Sequence, residues 1–142
     1  VVRQIAFHRF ETRFHDERQS GEVSVERIGQ IWLEEMGTSL GPAVTLNPGY
    51  EHWWSYVSHF VHTPFYVYAY AFGDLLVSAL MEARRADPAG FTPLYRELLA
   101  GGGTRTYVEA LKPFGLNPRD PAFWAAGCKR LERLVDQFEA VA

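Results

Sequence analysis

The residues best equipped for chemistry lie in HFVHTPFYVYAYAFGD, residues 59–74, where His59 and His62 precede Tyr66, Tyr68 and Tyr70. A tyrosine hydroxyl is a hydrogen-bond donor at neutral pH, and an imidazole donates from whichever ring nitrogen carries its proton. Converging on one point, the two can stabilise a developing oxyanion. They cannot by themselves make a water attack, so a base or a metal must come from elsewhere.

No such partner is evident in this chain. It has no H-E-x-x-H, no G-x-S-x-G and no phosphate-cradling loop. His8 and His15 are seven apart, as are His52 and His59, too far along a helix to share one ion, and they read as surface or interface residues. His59 and His62 are close enough to share a ligand, but no third ligand stands at a suitable offset. Glu11, Glu34 and Glu35 read as ordinary charged, solvated helix positions. Cys128, the single cysteine, excludes an internal disulfide and a cysteine-built zinc site, and reads as a small buried hydrophobe in the last helix.

The elements that must position these groups are helical. Val2, Ile5, Ala6, Phe10 and Phe14 recur at three- and four-residue intervals until Ser20-Gly21. Ser24 is placed to cap a second helix carrying Ile28, Ile31, Trp32 and Met36, closed by Gly37 and Gly41-Pro42. A short aromatic helix is expected from about Tyr50 to Phe60. Thr63-Pro64 interrupts it, and Pro64 suits the first turn of a fourth helix running from Phe65 to about Arg85. Pro88 and Gly90 bracket a turn, FTPLYRELLA forms a fifth helix, TYVEALKPFG a sixth, and Asp120-Pro121 introduces the last. No strand run is bounded by hairpin turns.

The alternation in FYVYAYA matches a strand, but the apolar pattern continues for roughly twenty residues, against about 5–6 for a typical strand. A membrane span needs about 20 uncharged apolar residues, and here Asp74 falls in the middle. A buried helix is the expected form. Core packing accounts for each tyrosine singly. The cluster of donors beside a loop equally suits a functional surface. The 142 residues, 47% hydrophobic and 22% charged, fit one soluble all-α domain. A net charge of -3 without basic blocks points to neither nucleic acid nor membrane as a partner, and the cysteine content suits the cytoplasm. VVRQIAFHRFETRF has neither an initiator methionine nor a leader's layout, so the chain reads as part of something longer.

HFVHTPFYVYAYAFGD resembles the C-terminal catalytic region of the oligoendopeptidase F family, among the thimet-oligopeptidase-like zinc metallopeptidases. RQIAFHRFE, residues 3–11, is similar to that family's R-Q-x-x-F-x-x-F-E helix. YRELLAGGGTRTYVEALKPFGLNP and FWAAGCKRLERLVDQFE resemble its closing segments in the same order. The resemblance covers nearly the whole chain. It implies an all-α, multi-helix bundle that forms the C-terminal part of a larger metallopeptidase catalytic domain cleaving short oligopeptides. Zinc would be held by two histidines and a glutamate upstream of Val1, with no metal bound by this chain. This chain would supply the opposite wall and be inert alone. On that resemblance His59 binds substrate and intermediate, and Tyr66 or Tyr68 binds the oxyanion. Many relatives place the F-Y-V-Y run one residue closer to the histidine, which leaves His62 to share substrate binding. The competing reading is a non-catalytic helical module whose aromatic groove takes a peptide or a partner helix.

A wall without its opposite lobe exposes apolar surface, which promotes self-association. Sedimentation velocity should therefore show a dimer or larger species. A single monomeric boundary contradicts the expectation.

Overall fold

The computed structural model describes residues 1–141, and among these the chain is all-α, without strands. Helices α1 (Val2–Gln19) and α2 (Val25–Leu40) are followed by a 3₁₀ segment (Tyr50–Tyr56) and the single-turn α3 (His59–His62). Then come α4 (Tyr68–Ala86), α5 (Pro88–Gly101), α6 (Tyr107–Leu111) and α7 (Pro121–Glu139), with short 3₁₀ turns after α5 and α6. Contacts gather into two compact units, Val1–Phe72 and the chain from Gly73 onward. No helix among the described residues is long and apolar enough to cross a membrane.

The first unit is built on α1 and α2. Ser24 caps α2, its hydroxyl accepting from the Arg27 N–H, as its position before the apolar run predicts. Ala6, Phe7 and Phe10 of α1 meet Ile31, Trp32 and Met36 of α2, and Val57 and Val67 close the same core. Gly29 is buried on α2. A Cβ there would lie 3.1 Å from the Glu51 carbonyl oxygen, so the 3₁₀ segment rests directly on helix backbone. Phe60 of α3 completes the cluster, 5.0 Å from Phe10 and 5.7 Å from Phe7 between ring centres.

Glu35, expected to be solvated, is buried, and its carboxylate meets Arg9 at 3.0 Å and Arg13 at 3.4 Å. It falls three and four residues after Trp32 and Ile31, inside the apolar stripe, which is why it cannot face water. Around it Arg13 reaches Glu34 at 2.5 Å and Arg27 reaches Glu17 at 2.6 Å. These pairs tie α1 to α2 along a rim that solvent still reaches, so each is individually weak.

The fourth helix begins later than its sequence pattern predicts. Pro64 lies in the loop rather than in the first helical turn, because Phe65 adopts φ +59°, a left-handed conformation that no helix can pass through. Nor is α4 buried all round. Val67, just before the helix, and Ala71, Leu75, Ser78 and Ala79 within it are buried at three- and four-residue steps, while Tyr68, Tyr70 and Val77 stay exposed.

In the second unit Ala79, Leu80, Phe91, Leu111 and Phe123 form the core. Gly90, expected in a turn, lies inside α5. The Asp87 side chain caps that helix on the Gly90 N–H at 2.9 Å, and a Cβ on Gly90 would collide with the capping carboxylate. Thr106 and Glu109 form a reciprocal capping box on α6, and Asp120 caps α7 just before Pro121. Cys128 is exposed, not buried. It follows Gly127, which turns the α7 backbone against Leu75 and leaves the next position pointing outward.

The hydrogen bond from the Arg27 guanidinium holds the Glu17 carboxyl below its ordinary pKa. A depressed folded pKa stabilises above the ordinary carboxylate value and ceases to do so as pH falls through the depressed one. Glu17→Gln should therefore be less stable than wild type at neutral pH, with the gap closing in acid. Urea titrations at several pH values check this, and a gap that does not change with pH refutes it.

Candidate functional site

His59 opens α3, whose single turn is held by the His62 N–H to the Ser58 carbonyl at 2.9 Å and the Thr63 N–H to the His59 carbonyl at 3.0 Å. The 3₁₀ segment and Val57 plant this turn on the first core through Phe60, which leaves His59 half-buried at the surface. Residues 63–67 then carry the chain to α4. The Tyr66 carbonyl accepts from the Ala69 N–H at 2.9 Å, so Tyr66 sits just ahead of the first helical turn.

This arrangement brings three side chains together. The His59 and Tyr66 rings stack with centroids 6.0 Å apart and only 10° between planes. The Tyr70 ring stands edge-on to both, 5.5 Å from His59 and 5.7 Å from Tyr66. The Tyr70 hydroxyl lies 2.9 Å from His59 Nε2. When that hydroxyl donates to Nε2, the ring keeps its proton on Nδ1 and presents it as a donor. Tyr66 and Tyr70 remain about half exposed, at 47% and 48%, so the group is open to a ligand.

The other expected residues go elsewhere. Tyr68 turns to α1, its ring 5.9 Å from that of His8. His62 is exposed at the end of α3. Tyr70, expected to pack, instead joins His59 across eleven residues of sequence. The signal was present: Tyr66 and Tyr70 are four apart, a spacing that brings two side chains onto one side even where the helix starts between them. What sequence reasoning could not supply was the direction of His59.

Glu11, expected to be solvated, is buried. It is 1% exposed, and its Oε1 accepts the Phe65 N–H at 2.6 Å. It follows Phe7 by four and Phe10 by one, so it interrupts the apolar stripe of α1 from within. That interruption was legible as a charged residue in a core position.

Among the described residues no three histidine, cysteine, aspartate or glutamate side chains converge as a metal site would require. What this cluster offers is hydrogen-bond donors on a rigid aromatic frame, suited to an oxygen that gains negative charge.

Comparison with known proteins places the chain in a family. Residues 1–130 match peptidase family M3, and the chain belongs to that family. It is similar to oligopeptidase PepF of Bacillus subtilis (strain 168), with 26% identity over 140 residues. The match takes in 98% of this chain and 21% of that protein, so the chain spans about a fifth of the length of the curated relative. No solved structure matches it.

Tyr70→Phe keeps the ring contacts and removes the hydroxyl. The His59 imidazole nitrogen resonances should shift, while stability falls by no more than about 1 kcal/mol, the scale of one hydrogen bond. Unchanged imidazole resonances would show that the bond does not form.

Proposed function

We propose that this chain forms the substrate- and oxyanion-binding wall of a zinc metalloendopeptidase that hydrolyses short oligopeptides. The observation that carries the reading is the convergence of His59, Tyr66 and Tyr70 on the surface of a family M3 chain. In this reading Tyr66 donates its hydroxyl hydrogen to the scissile carbonyl oxygen as that oxygen becomes negative. His59, oriented by Tyr70, donates to the substrate and then to the tetrahedral intermediate. Such donors accelerate a reaction only to the extent that they bind the transition state better than the substrate. The stacked rings favour this by fixing the donors before the charge appears. Tyr68 is the second candidate for the oxyanion, and His62, exposed at the end of α3, is a candidate contact for the peptide.

In this reading the zinc is held by other segments of a longer protein. The relative's greater length supports a protein in which other segments hold the metal and the attacking water, leaving this wall inert alone. A cytoplasmic location accords with the single cysteine.

In the intact protein, assayed with an internally quenched oligopeptide, Tyr66→Phe should lower kcat by about 10²–10³-fold with little change in KM. That is the scale for one lost oxyanion donor. Tyr68→Phe should have the smaller effect, because its ring faces His8. Unaltered kcat in Tyr66→Phe rejects the assignment, and a large loss in Tyr68→Phe alone moves the role to that residue.

A further inference from the structure

One face of α1 is given over to the loop that carries Tyr66. His8, Glu11 and His15 lie three and four residues apart on that face, and all three meet the Phe65–Tyr68 stretch, Glu11 and His15 at Phe65 and His8 at Tyr68. The His8 ring lies 5.9 Å from Tyr68, and His15 lies 4.8 Å from Phe65. Between them Glu11 holds the Phe65 N–H at 2.6 Å.

That central contact concentrates two unfavourable features. Glu11 is 1% exposed, and a buried carboxylate is costly unless well partnered. Its other oxygen, Oε2, has no hydrogen-bond partner among the described residues. Phe65 is the one non-glycine residue there with positive φ, at +59°, which its Cβ opposes. A core seeking only stability needs neither feature, and strain of this kind persists where the surroundings over-determine it. Its local effect is geometric. The Phe65 N–H is pinned on one side of Tyr66, and the Val67 side chain, 1% exposed, is buried on the other. Tyr66 is left one backbone course, which lays its ring parallel to His59.

We infer that Glu11 is a positioning residue: its carboxylate clamps Phe65 in the left-handed conformation and thereby sets Tyr66 against His59. The consequence for catalysis rests on the function proposed above, whereas the consequence for the geometry of Tyr66 and His59 does not.

Glu11→Leu separates positioning from packing. Leucine fills the buried site without a charge, so the cost of burying a carboxylate is relieved while the Phe65 N–H loses its acceptor. The expected result is a melting temperature equal to or above wild type, together with shifted His59 imidazole and Tyr66 ring resonances in the 142-residue chain. In the intact protein kcat should fall about 10- to 100-fold, the scale for a displaced catalytic group. Glu11→Gln keeps a carbonyl oxygen able to accept the Phe65 N–H and should restore both resonances and kcat. Resonances that stay at their wild-type positions in Glu11→Leu overturn the inference. So does loss of the fold, since a carboxylate required by the whole core is not a positioning device. Shifted resonances with unchanged kcat uphold the positioning and instead reject the catalytic assignment of Tyr66 and His59.

Discussion

The first unit depends on one indole. Trp32 is 2% exposed and has Phe7 at 5.3 Å, Phe10 at 5.2 Å, Tyr50 at 6.0 Å and Phe60 at 6.3 Å. These rings come from α1, the 3₁₀ segment and α3, so a single side chain of α2 sets where three other elements can lie. Aromatic pairs are worth about 0.5–1.5 kcal/mol each beyond the area they bury, and they are directional. Directionality matters more than the energy here. Phe60 can take its place only when α3 presents it, and that same turn sends His59 the other way, toward Tyr66 and Tyr70.

Beyond this hub the loop before α4 departs from local preference. A proline followed by an apolar run should start a helix, yet the helix waits four residues. The delay allows Tyr66 to lie outside helical geometry while Tyr70 lies within it. Were Phe65 helical, the two rings would lean along one helix face, and stacking between Tyr66 and His59 would be lost. Tertiary contact with α1 therefore overrides the local signal at the place where the donors are held.

The parts legible in sequence were those governed by short-range rules. Helices α1 and α2, the Ser24 cap and the Asp120-Pro121 start of α7 follow from spacing and capping chemistry within a few residues. Membership of a helical peptidase family was carried by motifs such as RQIAFHRFE and HFVHTPFYVYAYAFGD. The two misread glutamates share a cause, which is a partner far away in sequence. Glu11 lies 54 residues from Phe65 and Glu35 lies 22 from Arg13, so although each stands in an apolar stripe, the partner that lets it be buried could not be read from its own neighbourhood. Gly90 looked like a turn residue because glycine usually marks one, but here its missing Cβ clears space for the Asp87 cap. Cys128 was assigned by the general habit of its residue type, and its place on the outer side of α7 decided otherwise.

The caged indole also has an optical consequence. Of the four tryptophans, Trp32, Trp53 and Trp54 lie in the first unit and Trp124 in the second. Trp53 is 55% exposed, so its emission should lie near that of indole in water, whereas Trp32 is buried among four rings. With Trp124 replaced by phenylalanine, all remaining indole light comes from the unit that holds the donor cluster. The blue edge of that light then reports the aromatic cage, and the red edge provides an internal standard recorded in the same spectrum.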